Sequence, residues 1–534
     1  MKLFKLCIVL RWVPFFLLSL SLQGQEGFSW TPDGKGYYVL ENGNLIRIAL
    51  PSQTKTLLVK ASELIPAGKQ KALDIRQFAF TGDEQKVLLY TNTRKVWRLE
   101  TRGDYWVLDR RTAKLQQLGK ERPASSLMFA KFSPDGLSVA YVSDYNIYVE
   151  ELSSGISRAL TKDGNRKFIN GTFDWVYEEE FFCRDGFRWS PDSKKIAFWQ
   201  IDARNTKDYL MINNTDSIYP FVTPVEYPVA GESPSPFRIG AITVATGDIR
   251  WMSIPTDPVL QSYVPRMEWA ANSRELIVQH LNRYQNFSEL LICNTQTGSA
   301  RSIYQEKDSA WIDILPLWDG DYANGGWDWL NGGQDFLWAS EKDGWRHVYR
   351  VNRDGETERL LTRGSYDVMD IAAIDEPNGY LYFHASPDNA TQKYLFRTRL
   401  DGKGNLERVT PLDHSGTHEY NLSPGALYAQ HNFSSHQVRP VTELIAVKDH
   451  QFISGDPVKT AVQQSRNLRS NVEFFTLLTE EGISMDAWRV LPENFDPLKK
   501  YPLIFYVYTE PWGQNVKDVY GVGKNFLYQG DLSK

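Results

Sequence analysis

The chain has 534 residues, too many for one ordinary domain, and 42% of them are hydrophobic, enough for a large core. The 60 Lys and Arg nearly balance the 65 Asp and Glu, giving a formal charge of -5. No Lys/Arg-rich run occurs, so the sequence has no electrostatic footprint for nucleic acid. Aromatic residues make up 13%, with 17 Trp and 27 Tyr, which suits β architecture.

The first segment has the layout of an export signal. Lys2 and Lys5 precede the apolar runs Leu6 to Leu10 and Trp12 to Leu22, and small and polar residues follow from Ser21 to Gln25. Residues 1–25 are read as a signal peptide, with an uncleaved membrane anchor as the alternative. Arg11 and Pro14 interrupt what a clean span of about 20 residues would require. No later segment is long and apolar enough to cross a bilayer, so the remainder is expected to be soluble, exported and periplasmic or extracellular. Cys183 and Cys293 are too few for a disulfide framework and are expected as free buried thiols, a single bridge between them being the alternative.

From residue 26 to 470 a short pattern repeats. An aromatic or apolar residue is followed by a turn signal, most clearly at Trp30-Thr-Pro-Asp-Gly34, Phe132-Ser-Pro-Asp-Gly136 and Trp189-Ser-Pro-Asp-Ser193. Weaker copies begin at Phe80, Trp269, Trp329, Ile374 and Leu422. The Pro-Asp-Gly type turn reverses the chain, and β-rich runs such as Leu137 to Val142 and Asn146 to Glu150 follow. One such meander cannot bury both of its faces, so neighbours must stack, and this period belongs to propeller blades. The expected fold is mainly β, an eight-bladed (alternatively seven-bladed) β-propeller. The long gap between Trp189 and Trp269 contains a Pro-rich stretch, Tyr219 to Pro236, expected to form an arm off one blade.

The pattern changes near residue 470. Asn471 to Val490 reads as two strands joined at Glu480-Glu-Gly482. Tyr501 to Tyr508 is a nearly continuous apolar run, of the kind that suits a strand buried on both faces of an α/β sheet. Residues 471–534 are therefore expected to be the start of a second, α/β domain.

Three segments carry a resemblance to a known family. Asp174-Trp-Val-Tyr-Glu-Glu-Glu180, with Trp189-Ser-Pro-Asp192 after it, resembles the double-glutamate motif of the dipeptidyl peptidase IV family. Ser340-Glu-Lys-Asp-Gly-Trp-Arg-His-Val-Tyr349 is similar to one of its blade segments, and Lys500-Tyr-Pro-Leu-Ile-Phe-Tyr-Val-Tyr-Thr-Glu-Pro511 to the first strands of its α/β-hydrolase domain. The resemblance implies a secreted serine exopeptidase that removes dipeptides from peptide N-termini, often after proline or alanine. It implies that Glu179 and Glu180 grip the substrate's free amino group, that Arg122 holds a substrate carbonyl, and that Tyr508 donates its hydroxyl to the oxyanion. Glu178 is read as structural, capping a short helix. Where the family often has Gly-Gly or Ala-Gly before the last proline, this chain has Thr509-Glu510. Homodimers, built with a propeller arm and the hydrolase domain, are also implied.

The chemistry is sound on its own terms. An ammonium offers three donors and carboxylates only accept, so charge-assisted hydrogen bonds form. Two adjacent carboxylates repel, and a bound cation relieves the repulsion. Hydrolysis needs a Ser-Asp-His triad with the serine in Gly-x-Ser-x-Gly, and the sequence has no such segment. The family places all three residues beyond Lys534, so the chain is expected to be a truncated and inactive portion. A non-catalytic propeller that binds peptides or a protein partner is the competing reading. No Cys-x-x-Cys pair is present, and neither a metal nor a cofactor is expected.

Overall fold

Each copy of the repeat sits where one strand of a four- or five-stranded sheet turns back into the next. The computed structural model describes residues 27–314, 327–465, 472–492, 494–507 and 513–522, so the signal segment and Tyr508 lie outside the described residues. Among the described residues, eight antiparallel sheets of four or five strands follow one another along the chain. Blade 1 is Phe28–Trp30, Gly36–Glu41, Asn44–Ala49 and Thr54–Val59; blade 8 is Thr417–Leu422, Tyr428–Ser434, Val441–Ala446 and Gln451–Gly455. The fold is the eight-bladed propeller that the repeat predicts. Cys183 and Cys293 are free and buried, as expected.

The turn chemistry explains the repeat. In blade 1 the Thr31 hydroxyl donates to Asp33 at 2.6 Å, and the amide of Lys35 donates to the same carboxylate at 3.0 Å. The same pair of bonds recurs at Asp83, Asp135 and Asp192. The turns also hold one another: the Asp135 amide donates to Ser193 at 3.0 Å, and the Asp192 amide to Ser273 at 3.1 Å. The aromatic residue just before the turn reaches the preceding blade. The indole N–H of Trp189 donates to the carbonyl of Lys131 at 3.3 Å, and that of Trp269 to the carbonyl of Arg188 at 3.2 Å.

Blade 1 repeats this contact on blade 8 and so closes the ring. Trp30 donates to Asn421 at 3.0 Å, and Gln53 to the Ile453 carbonyl at 3.2 Å. Gly34 fits here because it has φ +66° and because a Cβ at that position would lie 2.0 Å from the Pro424 carbonyl oxygen. Replacing Gly34 with Ala is expected to lower stability by about 1–3 kcal/mol, from positive φ and from the clash. A denaturant midpoint equal to that of the parent would show that the closure tolerates a side chain.

Blade 4 departs from the plain meander in two places. The helix Trp175–Glu180 lies between the strands Phe168–Asn170 and Phe187–Trp189, and a separate hairpin, Asp208–Asn213 with Phe221–Glu226, leaves the blade as the expected arm. Arg166 pairs with both Asp208, at 2.9 Å, and Glu226, fixing the foot of the arm. Tyr227, just beyond the arm, meets Trp175 of the helix at 4.3 Å between ring centroids.

The C-terminal part behaves differently from the expectation. Val472–Leu478 and Ser484–Val490 do pair as a hairpin, but residues 501–507 form no strand, and Leu503 and Phe505 are mostly exposed. An apolar run becomes a buried strand only where a sheet edge receives it, and among the described residues none pairs with this one. Residues 513–522 instead fasten onto blades 7 and 8. Asp518 accepts from the His436 amide at 2.7 Å, His436 Nδ1 at 2.8 Å and Gln392 at 2.9 Å, while its own amide donates to the Thr391 carbonyl at 2.7 Å.

Candidate functional site

The acidic turn is built on a buried base. Asp174 caps the helix, accepting from the Tyr177 amide at 3.2 Å. Burial pushes the Asp174 carboxyl up to about 6. Val176, Tyr177 and Phe181 sink into the core between blades 4 and 5. There the Tyr177 hydroxyl accepts from the Val264 amide at 3.1 Å, and Trp199 donates to the Val264 carbonyl at 2.8 Å. A helix of six residues has little stability of its own, so this packing is what holds it.

Three consecutive carboxylates finish the helix. The C-terminal end of a helix already carries partial negative charge, so anions there are unfavourable unless a cation answers them. Glu178, mostly buried, faces Arg184 at 3.6 Å. Burial first, and then the neighbouring Glu179, push its carboxyl up to about 7 against the pull of Arg184. Glu178 is thus an ion-pair member in the helix body, and the capping role it was expected to fill belongs to Asp174. Glu179 is a quarter exposed and takes both arms of the Arg98 guanidinium, Nε to Oε2 at 3.3 Å and Nη2 to Oε1. Glu180 is exposed and lies within electrostatic reach of Tyr263.

Arg98 comes from the tip of a long hairpin in blade 2. Its strands, Lys86–Val96 and Leu99–Asp109, run to 11 residues each, against six in the matching strands of blade 1. Register shifts between Thr91 and Lys95 bend the first of them, and Trp97 takes φ 54° at the tip. Arg122 is elsewhere. It donates from Nη1 to the Tyr148 hydroxyl at 3.0 Å, with its guanidinium 4.8 Å from that ring's centroid, on the third strand of blade 3. The arginine brought to the acidic turn is therefore Arg98, while Arg122, expected to hold a substrate carbonyl, lies against Tyr148. Sequence reading missed it because nothing local ties two residues 81 positions apart. The one available sign was the unusual length of the β-rich run around it.

A cavity of about 430 Å³ runs beside this hairpin. The first strands of blades 2 and 3 line it through Phe78 and Lys131, and Glu100, two residues beyond Arg98, faces it as well. Its far side carries Asp185, Arg188 and Glu268. Lys131 pairs with Asp185, and Arg188 with Glu268 at 3.2 Å, so the wall is charged but internally balanced. Burial brings the Lys131 ammonium down to about 8.

The fold and the site together define an eight-bladed propeller that presents paired carboxylates, one of them clamped by an arginine from another blade. A sequence profile described as the dipeptidyl peptidase IV (DPP IV) N-terminal region matches residues 81–440, and the chain belongs to that family. It is 28% identical over 469 residues to a protein of Aspergillus oryzae named "Probable dipeptidyl-aminopeptidase B", covering 81% of this chain and 50% of that one. The protein of the same name from Talaromyces stipitatus is 25% identical over 539 residues, covering 92% and 58%. The crystal structure of Porphyromonas gingivalis dipeptidyl peptidase 4 superposes with a TM-score of 0.82 at 26% identity, over 93% of this chain and 69% of that one. The chain spans about half the length of the first of these relatives.

Proposed function

We propose that this chain forms the substrate-selecting part of an exported serine dipeptidyl-peptidase, and that Glu179 and Glu180 receive the ammonium of a peptide N-terminus. The observation that carries the reading is the acidic turn itself: adjacent carboxylates at a helix C-terminus, rooted in the core, with Glu179 clamped by Arg98 from another blade. Arg98 holds Glu179 in place, and an ammonium offers three donors to carboxylates that only accept. Such a site selects a charged chain end over an interior amide and so sets the cutting distance from that end.

The names of the relatives support dipeptide release as the activity. The reading assigns cleavage to a Ser-Asp-His triad, no member of which is identified in this sequence, and oxyanion stabilisation to Tyr508, outside the described residues. It places the protein in the periplasm or outside the cell, on the strength of the basic and apolar first 25 residues. Among the described residues no helix is long and apolar enough to cross a membrane. The arm exposes Leu210, Ile212, Ile218 and Tyr219, and we assign it to contact with a second copy in a homodimer.

Calorimetry with a tripeptide and its N-acetylated twin tests the amine site. The free amine is expected to bind at least about 10-fold more tightly, the loss being that of charge-assisted hydrogen bonds. Equal affinities would remove the reading.

A further inference from the structure

Blade 8 carries a histidine cluster that the peptide site does not use. His431 and Glu443 are direct partners across adjacent antiparallel strands, so their side chains leave the sheet on the same face. His450 lies in the turn that follows, between Val441–Ala446 and Gln451–Gly455. One possible ligand atom from each of the three lies within 4.8 Å of the other two. His431 and Glu443 are buried, and His450 is partly exposed, which gives an ion a way in.

The hydrogen bonds fix the tautomers. His418 stands behind His431 on the neighbouring strand. Its Nε2 stands 3.0 Å from the carbonyl oxygen of His414, so Nε2 must carry the hydrogen. In a neutral His418 ring Nδ1 then accepts, and the group 2.8 Å away is Nε2 of His431, which donates. That leaves Nδ1 of His431 with a lone pair, aimed at Oε1 of Glu443 from 2.9 Å. Oε2 of Glu443 already accepts from the Val458 amide at 3.0 Å. Two acceptors this close need a cation between them, either a proton or a metal ion.

The surroundings are those of a supported ligand set. His418 orients His431 from behind, Tyr420 stacks on the His431 ring at 4.1 Å and 3°, and the Tyr420 hydroxyl is 2.8 Å from His450 Nε2. The sequence does contain one His-x-x-x-His spacing, His414 and His418. It runs from a loop into a strand rather than along a helix, and its second member serves as the orienting residue.

We propose that His431, Glu443 and His450 bind Zn²⁺, with a position left open on the side of His450. Two nitrogens and one carboxylate oxygen suit a borderline ion of this kind. Zinc bonds of about 2.0–2.2 Å place tetrahedral ligands roughly 3.4 Å apart, so the His431–Glu443 contact opens by only about half an ångström. A comparable trio, Asp370, His384 and Glu419, is already served: the Lys393 ammonium sits 2.8 Å from Asp370 and 2.7 Å from Glu419. The zinc would tie the turn at His450 to two strands of the blade that closes the ring.

The test is titration of the chelator-stripped protein with Zn²⁺ near neutral pH by calorimetry, and with Co²⁺ followed by its visible absorption bands. One equivalent is expected to bind, with a rise in Tm. Glu443→Gln and His450→Ala should each weaken binding by at least about 100-fold, beyond what loss of an orienting partner costs. His450 lies on a partly exposed turn, so His450→Ala keeps the fold, as its circular dichroism will report. Failure of the parent protein to take up one equivalent overturns the proposal and leaves a proton between His431 and Glu443. So does unchanged affinity in His450→Ala.

Discussion

Titration of the Glu179→Ala/Glu180→Ala variant against a tripeptide with a free amino terminus should give no measurable heat where the parent binds. A loss of at least about 100-fold is expected, because two charge-assisted contacts to one ammonium disappear together. The variant is expected to fold, since neither side chain is buried in the core that holds the helix. Parent-like affinity would turn the acidic run into a solvated turn and take the peptide reading with it. Arg98→Ala offers a finer cut. It frees Glu179 from its clamp, so the pair should bind a cation less selectively, with the gap between free and acetylated peptide narrowing.

The same site has a pH signature. Glu178 in the folded chain loses its proton near 7, well above the 4.5 of the ordinary group. Affinity for an amine should therefore rise as pH passes 7, when a third negative charge appears beside Glu179. It should fall again once the peptide amine itself deprotonates, at about 8. The sign for stability is the reverse. A carboxyl whose folded value is raised contributes stability that is present below 4.5 and lost as pH rises through about 7. The helix thus holds its charge under strain where it binds best.

The second large effect is expected at Asp518. Burial alone would raise this carboxyl, but hydrogen bonds from the His436 side chain and amide and from Gln392 outweigh it and hold the group below its usual range. Asp518→Ala leaves those partly buried donors without their acceptor, at a cost of about 2 kcal/mol. Residues 513–522 should then lose protection in amide hydrogen exchange while blades 1 to 6 keep theirs. Because the folded value is depressed, the anchor is intact above the unfolded value of about 3.8 and fails as pH falls through the lower folded one. Acidification should therefore release the segment in the parent too, and have little further effect in the variant.

Much of this architecture can be read from the chain because its cause is local. A threonine or serine, an aspartate two residues on and a backbone amide beyond it make one hydrogen-bonded turn, and that turn stands in each of blades 1 to 4. The acidic run was legible for the same reason. What stayed hidden depends on distant partners. Arg98 acts only because an elongated hairpin carries it to a helix in another blade. His431 and Glu443 meet through strand register, not spacing in sequence. The Tyr501 to Val507 run has the composition of a buried strand, but composition supplies no neighbour for it.

The clasp between Trp30 and Asn421 joins residues 391 positions apart. During synthesis, then, the first blade waits with its edge unpartnered until nearly the whole ring has left the ribosome. Contacts of such long range are late and slow to form. Anything that loosens this seam should show itself as delayed assembly and misassociation of newly made chains before it shows as weakness in the finished molecule.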